Sequence, residues 1–422
     1  MQQTLFHIPH ALFDGWLLAV WLMIGFAMIG YQWLIAKRQS DAFGMLPVVA
    51  IVAVVIYFVL PQLENKGINP ADPDGDLILL GLAIRGYGFF MLIAMVLSLG
   101  MIYQRCRQVG YEFDQIMSLC FWMIIFGIAG ARLFYVLQKW EDFSNDSSVN
   151  LIGKMLDMTK GGLVVYGSLI GGLIAAMVYM RMKKMAWPEV GDILAPAMVL
   201  GLAIGRVGCL MNGCCYGGIC EPPYPGLEFP AGSPPYMQQL ADGQLLGIDG
   251  QWSVDGLGVE RVEPGSLAES RGVKQGDQIM LLLPSSMEIK AVKEEGIDKE
   301  ASLVIGGLRL GQLKIPVADL PDFSLPAHPT QVYSSINALL LSLLLWFYYP
   351  FRRHSGEVLA LLLILYPLGR FLLEIIRTDE RGQFGTALTI SQWVSIATIV
   401  VGFSVLLYVR AKMPTLQRAE TV

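Results

Sequence analysis

The chain has 422 residues, of which 54% are hydrophobic and only 15% are charged. Ordinary globular chains are about half apolar and about a quarter charged, so this composition indicates a membrane protein. The formal net charge of −5 gives no indication of a nucleic-acid partner. The first residues lack the basic region and the small-residue cleavage site of a signal peptide, so the first apolar run is expected to remain as an anchor.

Nine apolar runs approach the roughly 20 residues that a helix needs to cross the hydrocarbon core. The second and the seventh are short. In chain order the predicted spans are Trp16–Ala36, Met45–Leu60, Leu77–Tyr103, Ile116–Leu137, Gly162–Met180, Val190–Leu210, Val332–Tyr349, Val358–Ile376 and Ile390–Val409.

The charged connections test this number of spans, because an excess of Lys and Arg marks the cytoplasmic side. The basic clusters fall on alternate connections, and they share one side only if the number is odd and the N-terminus lies outside. The clusters are Lys37–Arg38, Arg105 with Arg107, Arg181 with Lys183 and Lys184, Arg352–Arg353, and Arg410 with Lys412. We therefore predict an all-α polytopic membrane bundle of about nine helices, with its N-terminus outside and its C-terminus inside.

The long connection Asn212–Ala327 is too polar for the membrane and is predicted to lie outside. Its short runs of β-forming residues alternate with Gly, Pro and charge, as in a small sheet. These runs are Leu257–Val262, Gln278–Leu283, Ala301–Leu308 and Leu313–Val317.

The middle of this connection resembles a PDZ domain. After the first of these strands come a Pro264-Gly265-Ser266 turn, a short helix at Leu267–Ser270, and Gly276-Asp277 before the next strand. The resemblance implies a small β-rich insert that binds an extended peptide at a sheet edge. A spacer without any ligand is the alternative.

Polar side chains inside apolar runs indicate a functional site, because they are costly in lipid. Arg132 lies within the fourth span, and Arg206 and Asn212 lie at the end of the sixth. Several arginines in lipid require anionic partners, and a phosphate suits the bidentate guanidinium. One face of the eighth span carries Tyr366, Arg370, Glu374 and Arg377 at helical spacing.

A structural explanation of that stripe is also open. Arg370 and Glu374 would then form an internal ion pair, and Arg377 would extend to the membrane surface. The glycine-rich segments 161–172 and 205–218 have two explanations as well: close helix packing, or backbone approach to a ligand. The segment 328–333 leads into the seventh span from outside, which places His328 and Gln331 at the same leaflet as Arg206.

Four of the six cysteines fall within twelve residues, at Cys209, Cys214, Cys215 and Cys220. Outside the inner membrane a disulfide is the first expectation, with Cys214 or Cys215 paired to Cys220 or Cys209. A zinc site is second, because the spacing departs from the usual C-x₂-C pairs. A catalytic thiol is third.

Six segments in order resemble the prolipoprotein diacylglyceryl transferase family. The resemblance covers the last seven spans, while the first two spans and the PDZ-like insert lie outside it. The segments are Arg85-Gly-Tyr-Gly-Phe, Gly130-Ala-Arg-Leu-Phe-Tyr-Val136, Gly161 to Gly171, Gly205 to Gly213, His328-Pro-Thr-Gln-Val-Tyr333, and Tyr366 to Asp379.

Members of that family move the diacylglyceryl group of phosphatidylglycerol to the lipobox cysteine thiol of a prolipoprotein, with release of glycerol phosphate and without a cofactor or metal. The resemblance implies that Arg206 and Arg370 stabilise the departing phosphate. It implies catalytic roles for Tyr166, Arg206, Arg370 and His328. It implies substrate-binding roles for Tyr87, Arg132, Gly167, Asn212, Gln331, Tyr333, Tyr366, Glu374 and Arg377.

Two positions depart from the family pattern. Tyr166 stands where many members have a histidine proposed as the base, and a tyrosine ordinarily has a pKa of about 10, which makes it a poor base. His328 could be the base instead, or nearby arginines could lower the pKa of the substrate thiol sufficiently. Cys209 stands where the family has an asparagine, so one polar contact is lost.

The predicted organisation is two additional N-terminal helices in 1–75, the first part of a transferase core in 76–220, an extracytoplasmic insert in 221–327 that is PDZ-like at about 245–320, and the second part of the core in 328–422. The expected location is a bacterial inner membrane, with the site toward the periplasm. The expected partners are phosphatidylglycerol, prolipoprotein lipobox segments and a peptide ligand of the insert. A lipid or solute transporter, and a non-catalytic member that recruits envelope proteins, are the alternatives.

Overall fold

The computed structural model describes residues 4–8, 16–31, 49, 53, 64–67, 78–144, 155, 162, 164–220, 226–254, 256–293, 301–307, 311–377, 385–386 and 388–416. The chain divides into two compact units. Unit 1 comprises Met1–Leu92, Gly205–Tyr333 and Ile376–Glu380. Unit 2 comprises Ile93–Ile204, Ser334–Ile375 and Arg381–Val422.

Most of the described chain is helical. In chain order the helices are α1 Trp16–Gly30, α2 Gly86–Val109, α3 Phe113–Gln138, α4 Trp140–Ser144, α5 Val165–Met182, α6 Trp187–Asn212, α7 Pro234–Ala241, α8 Leu267–Ser270, α9 Ser286–Lys293, α10 Thr330–Tyr348, α11 Glu357–Ile376 and α12 Ile390–Lys412. Within the described residues, α2, α3, α6, α10, α11 and α12 are long and apolar enough to cross a membrane. The shorter α1 and α5 are also apolar.

These helices confirm a multi-pass membrane protein, and two predicted spans need comment. The third was predicted from Leu77, but Ile78–Arg85 is a strand and the helix begins only at Gly86. A short apolar run fits a buried strand as well as a helix, so its periodicity did not discriminate between them. The second predicted span, Met45–Leu60, lies almost entirely outside the described residues.

Eight strands form two antiparallel sheets among the described residues. The first sheet has the order β1-β3-β2, and the second has the order β4-β5-β6-β7-β8. The strands are β1 Thr4–Ile8, β2 Glu64–Gly67, β3 Ile78–Arg85, β4 Ile248–Ser253, β5 Gly256–Val262, β6 Gln278–Leu282, β7 Ser302–Gly307 and β8 Gly311–Pro316.

The second sheet is the predicted β-rich insert in unit 1. Strands β5 to β8 and the short helix α8 occupy the predicted segments, whereas β4, α7 and α9 were not predicted. Ser266 caps α8 by accepting a hydrogen bond from the Glu269 amide, which is why a four-residue helix forms there. Tyr236 and Leu240 on α7 belong to the same buried core as the strands, so the folded insert begins before β4.

In unit 2, small residues let α6 pack closely on α10 and α11. The buried cluster contains Ala195, Val199 and Ala203 on α6, packed with residues such as Leu341 and Leu345 on α10. Interhelical hydrogen bonds add to this packing: the Ser335 and Ser342 hydroxyls donate to the carbonyls of Ala203 and Pro196, at 2.7 and 2.8 Å.

Basic side chains at the ends of several unit 2 helices contact aromatic and acidic residues of neighbouring helices. Arg105 stacks between the Trp346 and Tyr349 rings, 3.8 and 3.9 Å from their centroids. Arg352 pairs at 3.2 Å with Asp192, which is fully buried and also accepts from two backbone amides. The ends of α2, α6, α10 and α11 therefore share one charged and aromatic cluster.

Helices α3 and α5 touch through glycines. A Cβ built on Gly130 would come within 2.4 Å of the Gly167 carbonyl oxygen, and one on Gly171 within 2.2 Å of the Phe126 carbonyl oxygen. The packing role of the 161–172 glycines, one of the two alternatives from the sequence, is therefore present in the structure.

Replacing Gly171 with alanine should loosen this contact, because the added methyl group overlaps a backbone carbonyl. We expect destabilisation of about 1–3 kcal/mol, measured as a lower apparent unfolding temperature of the detergent-purified protein. Gly172→Ala is the matched control, since its Cβ would lie 3.6 Å from the nearest backbone oxygen. Equal unfolding temperatures for both variants would contradict this account of the helix contact.

Candidate active site

The loop that follows α6 folds back over the last turn of the helix. Gly213 adopts a positive φ of 71°, and the Cys214 amide donates to the Cys209 carbonyl at 3.1 Å. Such a glycine with a backward hydrogen bond is a common way to end a helix. Cys215 also has a positive φ, of 62°, which is uncommon for a residue with a side chain and is maintained here by surrounding contacts.

The segment that leads into α10, together with the first residues of that helix, holds this loop in place. The Gly217 amide donates to the His328 carbonyl at 2.9 Å, and the His328 amide donates to the Gly218 carbonyl at 3.0 Å. The Thr330 hydroxyl donates to the Cys215 carbonyl at 2.6 Å, and the Gln331 side-chain amide donates to the Cys214 carbonyl at 2.7 Å. We call residues 213–218 the cysteine loop and residues 328–331 its clamp.

Gly217 lies where the cysteine loop and its clamp leave no room for a side chain. A Cβ at this position would meet side-chain atoms of His328 and Thr330 at 2.8 Å. The end of α11 also contributes, since the Gly218 amide donates to the Ile376 carbonyl at 3.3 Å. Segments that are far apart in sequence, and that were each predicted to carry site residues, therefore meet here.

Three thiols gather where the cysteine loop crosses the end of α6. The Sγ atoms of Cys209, Cys214 and Cys215 all lie within 4.8 Å of one another. Cys209, Cys214 and Cys215 are free thiols. Cys220, which the sequence analysis placed in the same candidate disulfide set, is buried and is not part of this group of three.

The Cys215 thiol lies in an environment that favours its thiolate. Hydrogen bonds with the thiols of Cys209 and Cys214 lower the pKa of Cys215, and the guanidinium groups of Arg206 and Arg377 lower it further, while burial opposes them. Two arginines that were predicted as site residues thus form one electropositive environment with the cysteine loop in unit 1.

The clamp glutamine is a deeply buried member of the predicted substrate-binding set. Gln331 is 1% exposed, and its Oε1 makes no hydrogen bond within the described part of the chain. A buried carbonyl oxygen without a partner is costly, so this atom is suited to accept from a ligand hydroxyl. Tyr87 packs on α6 nearby, with its carbonyl oxygen 3.2 Å from a Cβ built on Gly208.

In unit 2, Arg370 and Glu374 form an ion pair on α11. Glu374 is 3% exposed and also accepts a hydrogen bond from the Thr389 hydroxyl at 3.3 Å. Arg370 donates to the Ser391 hydroxyl at 3.3 Å. Because Thr389 caps α12, the pair is fixed to the start of that helix. Glu374 thus positions Arg370, as one of the two alternatives from the sequence suggested.

Arg132 is directed at backbone carbonyls in the structure. Its guanidinium donates to the carbonyls of Met155 and Gly162, at 2.7 and 3.2 Å, and lies 5.1 Å from the Tyr135 ring centroid. Gly162 has a positive φ of 83°, and a Cβ there would meet the Tyr135 ring and Arg132 below 3 Å. Arg132 therefore helps to hold the segment that leads into α5.

Three other predicted site residues also lie in unit 2. Tyr166 opens α5 and is 39% exposed, Gly167 lies at the α3 contact, and Tyr366 is partly buried against the α6–α10–α11 cluster. Tyr333, in unit 1, is partly buried at the start of α10. Sequence reasoning did not single out Thr330, because a threonine before a helix is most simply explained as a cap.

The fold and these contacts define a multi-pass membrane protein with a partly buried group of arginines and cysteines at the end of one helix. Residues 76–408 match the sequence profile of the family described as prolipoprotein diacylglyceryl transferase. The chain belongs to that family.

Three relatives agree with this assignment. The phosphatidylglycerol–prolipoprotein diacylglyceryl transferase of Rhodopirellula baltica is 34% identical, over 97% of this chain and 89% of its own length. Enzyme 2 of the same name from Clostridium perfringens is 24% identical, over 78% of this chain and 92% of its own. The Clostridium tetani enzyme of that name is 25% identical, over 78% and 94%.

The electropositive environment of Cys215 predicts a thiol that reacts at unusually low pH. In reduced, chelator-treated protein, alkylation of Cys215 by iodoacetamide should have its midpoint below the ordinary thiol pKa of about 8.5. Peptide mass spectrometry over a pH series would locate and quantify the label. Arg377→Gln removes one of the guanidinium groups, so it should move the midpoint upward. A midpoint in the ordinary range, unchanged in this variant, would contradict the assignment.

Proposed function

We propose that this chain transfers the diacylglyceryl group of phosphatidylglycerol to the lipobox cysteine thiol of prolipoproteins. The observation that carries the proposal is that Arg206 and Arg377 act electrostatically on Cys215, and Asn212 hydrogen-bonds to Cys214, in the loop that the clamp holds. The family assignment and the names of the relatives support the same reaction. They do not favour a transporter or a purely recruiting protein.

The leaving group explains the need for arginines. When the bond between glyceryl carbon and phosphate oxygen breaks, negative charge grows on the departing glycerol phosphate. Guanidinium groups placed beforehand in a poorly solvated site stabilise that charge in the transition state. Arg206 and Arg377 lie where their charges already act on Cys215, so the same pair is suited to a phosphate.

The polar groups of the clamp suit the head group of the lipid. The partnerless Oε1 of Gln331 can accept from a glycerol hydroxyl, and Asn212 lies at the end of the adjoining helix. Backbone hydrogen bonds with Gly217 and Gly218 hold His328 in the clamp, and they fix the position from which its side chain extends. We infer that His328 is the residue of this unit best suited to take a proton from the substrate thiol.

The roles of Tyr166 and Arg370 as catalytic residues remain predictions from the family resemblance. The structure gives Arg370 a fixed guanidinium, through its ion pair with Glu374, which is what a phosphate ligand needs. Tyr366, Tyr333 and Tyr87 remain predicted contacts of the lipid head group.

We also infer that the site faces the periplasm. Arg105 and Arg352 belong to the basic cluster at one end of the helices, and basic ends face the cytoplasm. Asp192 is near the start of α6 and joins that cluster, whereas Arg206 and Asn212 are in its last two turns. The nine-span topology, with the two N-terminal spans included, remains part of this proposal.

The reaction can be tested with purified protein, phosphatidylglycerol vesicles and a lipobox peptide. We expect the peptide to gain one diacylglyceryl group by mass. Arg206→Ala and Arg370→Ala should each lower the rate by about 100-fold or more, as the loss of a transition-state charge contact does. Arg181→Ala, an exposed arginine at the end of α5, is the matched control and should transfer normally. Normal transfer by the Arg206 variant would contradict the proposed role of Arg206 in stabilising the phosphate.

We propose further that the insert binds extended precursor segments at an open sheet edge. Strands β4 and β8 are the two edges of its sheet among the described residues, and an added strand can pair with either.

Deleting Gln244–Val317 behind a short linker removes both edges and keeps α7. Transfer to full-length precursors should then fall several-fold, while transfer to a short lipobox peptide should persist, because the peptide lacks the captured segment. Comparison of the two substrates by mass assay is the measurement. Unchanged transfer to every precursor would rule out the capture role.

A further inference from the structure

The three thiols at the end of α6 have no role in the diacylglyceryl transfer proposed above. Their Sγ atoms all lie within 4.8 Å of one another, and the side chains are partly buried. With Zn–S bonds of about 2.3 Å, tetrahedral coordination puts neighbouring sulfurs about 3.8 Å apart. The group is therefore close to the spacing that one zinc ion with three cysteine ligands requires.

The backbone presents these thiols without help from a disulfide. Cys209 is fixed by α6, and the carbonyls of Cys214 and Cys215 are held by the Gln331 and Thr330 side chains. One disulfide would use only two of the three sulfurs, and the adjacent Cys214 and Cys215 cannot easily pair with each other. A metal ion uses all three.

The number of ligands indicates an open site. Among the residues that the structure describes, no fourth His, Cys, Asp or Glu joins the group. Structural zinc sites usually have four protein ligands, whereas catalytic sites have three and leave a position for water or substrate. The proposed substrate is itself a thiol, and thiolate sulfur is the kind of ligand that sulfur-rich sites accept.

The charge of the surrounding residues also suits a zinc–thiolate complex. Three thiolates and a divalent zinc ion carry one net negative charge, and a fourth thiolate makes it two. Arg206 lies on α6 three residues before Cys209 and supplies a positive charge at the same end of the helix. Without such a neighbour, a sulfur-rich anionic complex would be costly in a partly buried site.

We propose that Cys209, Cys214 and Cys215 hold a zinc ion whose open position binds the substrate cysteine as its thiolate. The subsequent chemistry rests on the proposed transfer function. On binding, the substrate thiol loses its proton, which His328 accepts, because a coordinated thiol is deprotonated outright. This activation requires no strong base, which suits a chain with Tyr166 at the position of the family's histidine.

The bonds and charges in the transfer step balance without an oxidant or reductant. The bound thiolate attacks the glyceryl carbon that carries the phosphate ester. The C–S bond forms as the C–O bond breaks, and the electron pair leaves on glycerol phosphate. The product thioether is neutral and a weaker ligand than a thiolate, so it leaves the metal to the next substrate.

The test measures metal binding directly on the full-length, reduced protein in detergent. Elemental analysis should find about one zinc ion per chain in the wild type, as expected for a mononuclear site. Cys209→Ser, Cys214→Ser and Cys215→Ser should each lose most of it, whereas Cys220→Ser, outside the group of three, should retain it. Failure of the reduced wild-type protein to bind zinc, or retention by all three variants, would overturn the proposal.

Cobalt in place of zinc tests the open position separately from catalysis. The sulfur-to-cobalt absorption should increase when a lipobox peptide is added without lipid, and should not respond to the same peptide with serine for cysteine. A spectrum indifferent to the cysteine peptide would overturn the substrate-binding role even if zinc is bound. A normal spectral response in a protein that transfers nothing would support the metal site and count against the transfer function alone.

Discussion

The hydrogen bonds between the cysteine loop and its clamp are the constraint on which the site in unit 1 depends. The loop leaves α6 through a positive φ at Gly213 and adopts another at Cys215, which local sequence alone would not favour. Two clamp side chains, Thr330 and Gln331, satisfy loop carbonyls, and two backbone hydrogen bonds join residues 217–218 to His328. Each such bond contributes about 1 kcal/mol, so together they can offset the cost of the unusual backbone.

This arrangement lets one short segment serve several chemical needs. It directs three thiols toward one point, places Cys215 in the field of two arginines, and leaves one buried carbonyl oxygen of Gln331 for a ligand. In unit 2, a smaller set of contacts also fixes a charged group: Glu374, held by Thr389, positions the Arg370 guanidinium. In both units the arginines are positioned before any substrate arrives, which is what electrostatic stabilisation of a leaving group requires.

Much of the fold could be predicted from the sequence because its signals are local. Long apolar runs, the Pro264-Gly265-Ser266 turn and short runs of β-forming residues located most helices and the insert strands. The failures have physical reasons: Ile78–Arg85 is apolar enough for a span but pairs as a strand, and the start of α7 at Pro234-Pro235 looks like a turn although proline is favoured in a first helical turn.

The site was predictable only to the extent that its residues have intrinsic chemistry. Arginines within apolar runs can be recognised from the sequence as candidate site residues. The i, i+4 spacing of Arg370 and Glu374 predicts their ion pair. The grouping of Cys214 and Cys215 with Cys209, rather than with Cys220, depends on how the loop turns back on α6. The partnership of Gln331 with that loop joins residues more than a hundred positions apart, and no local pattern reveals it.

The most direct measurement of the central claim is the rate of diacylglyceryl transfer by a Thr330→Val, Gln331→Leu double variant. Both substitutions are close in size to the native side chains and remove the two hydrogen bonds to loop carbonyls. Because each bond contributes about 1 kcal/mol, we predict a 10- to 100-fold fall in kcat/KM, with the unfolding temperature of the bundle nearly unchanged. A folded double variant that transfers at the wild-type rate would contradict the claim that the clamp creates the site.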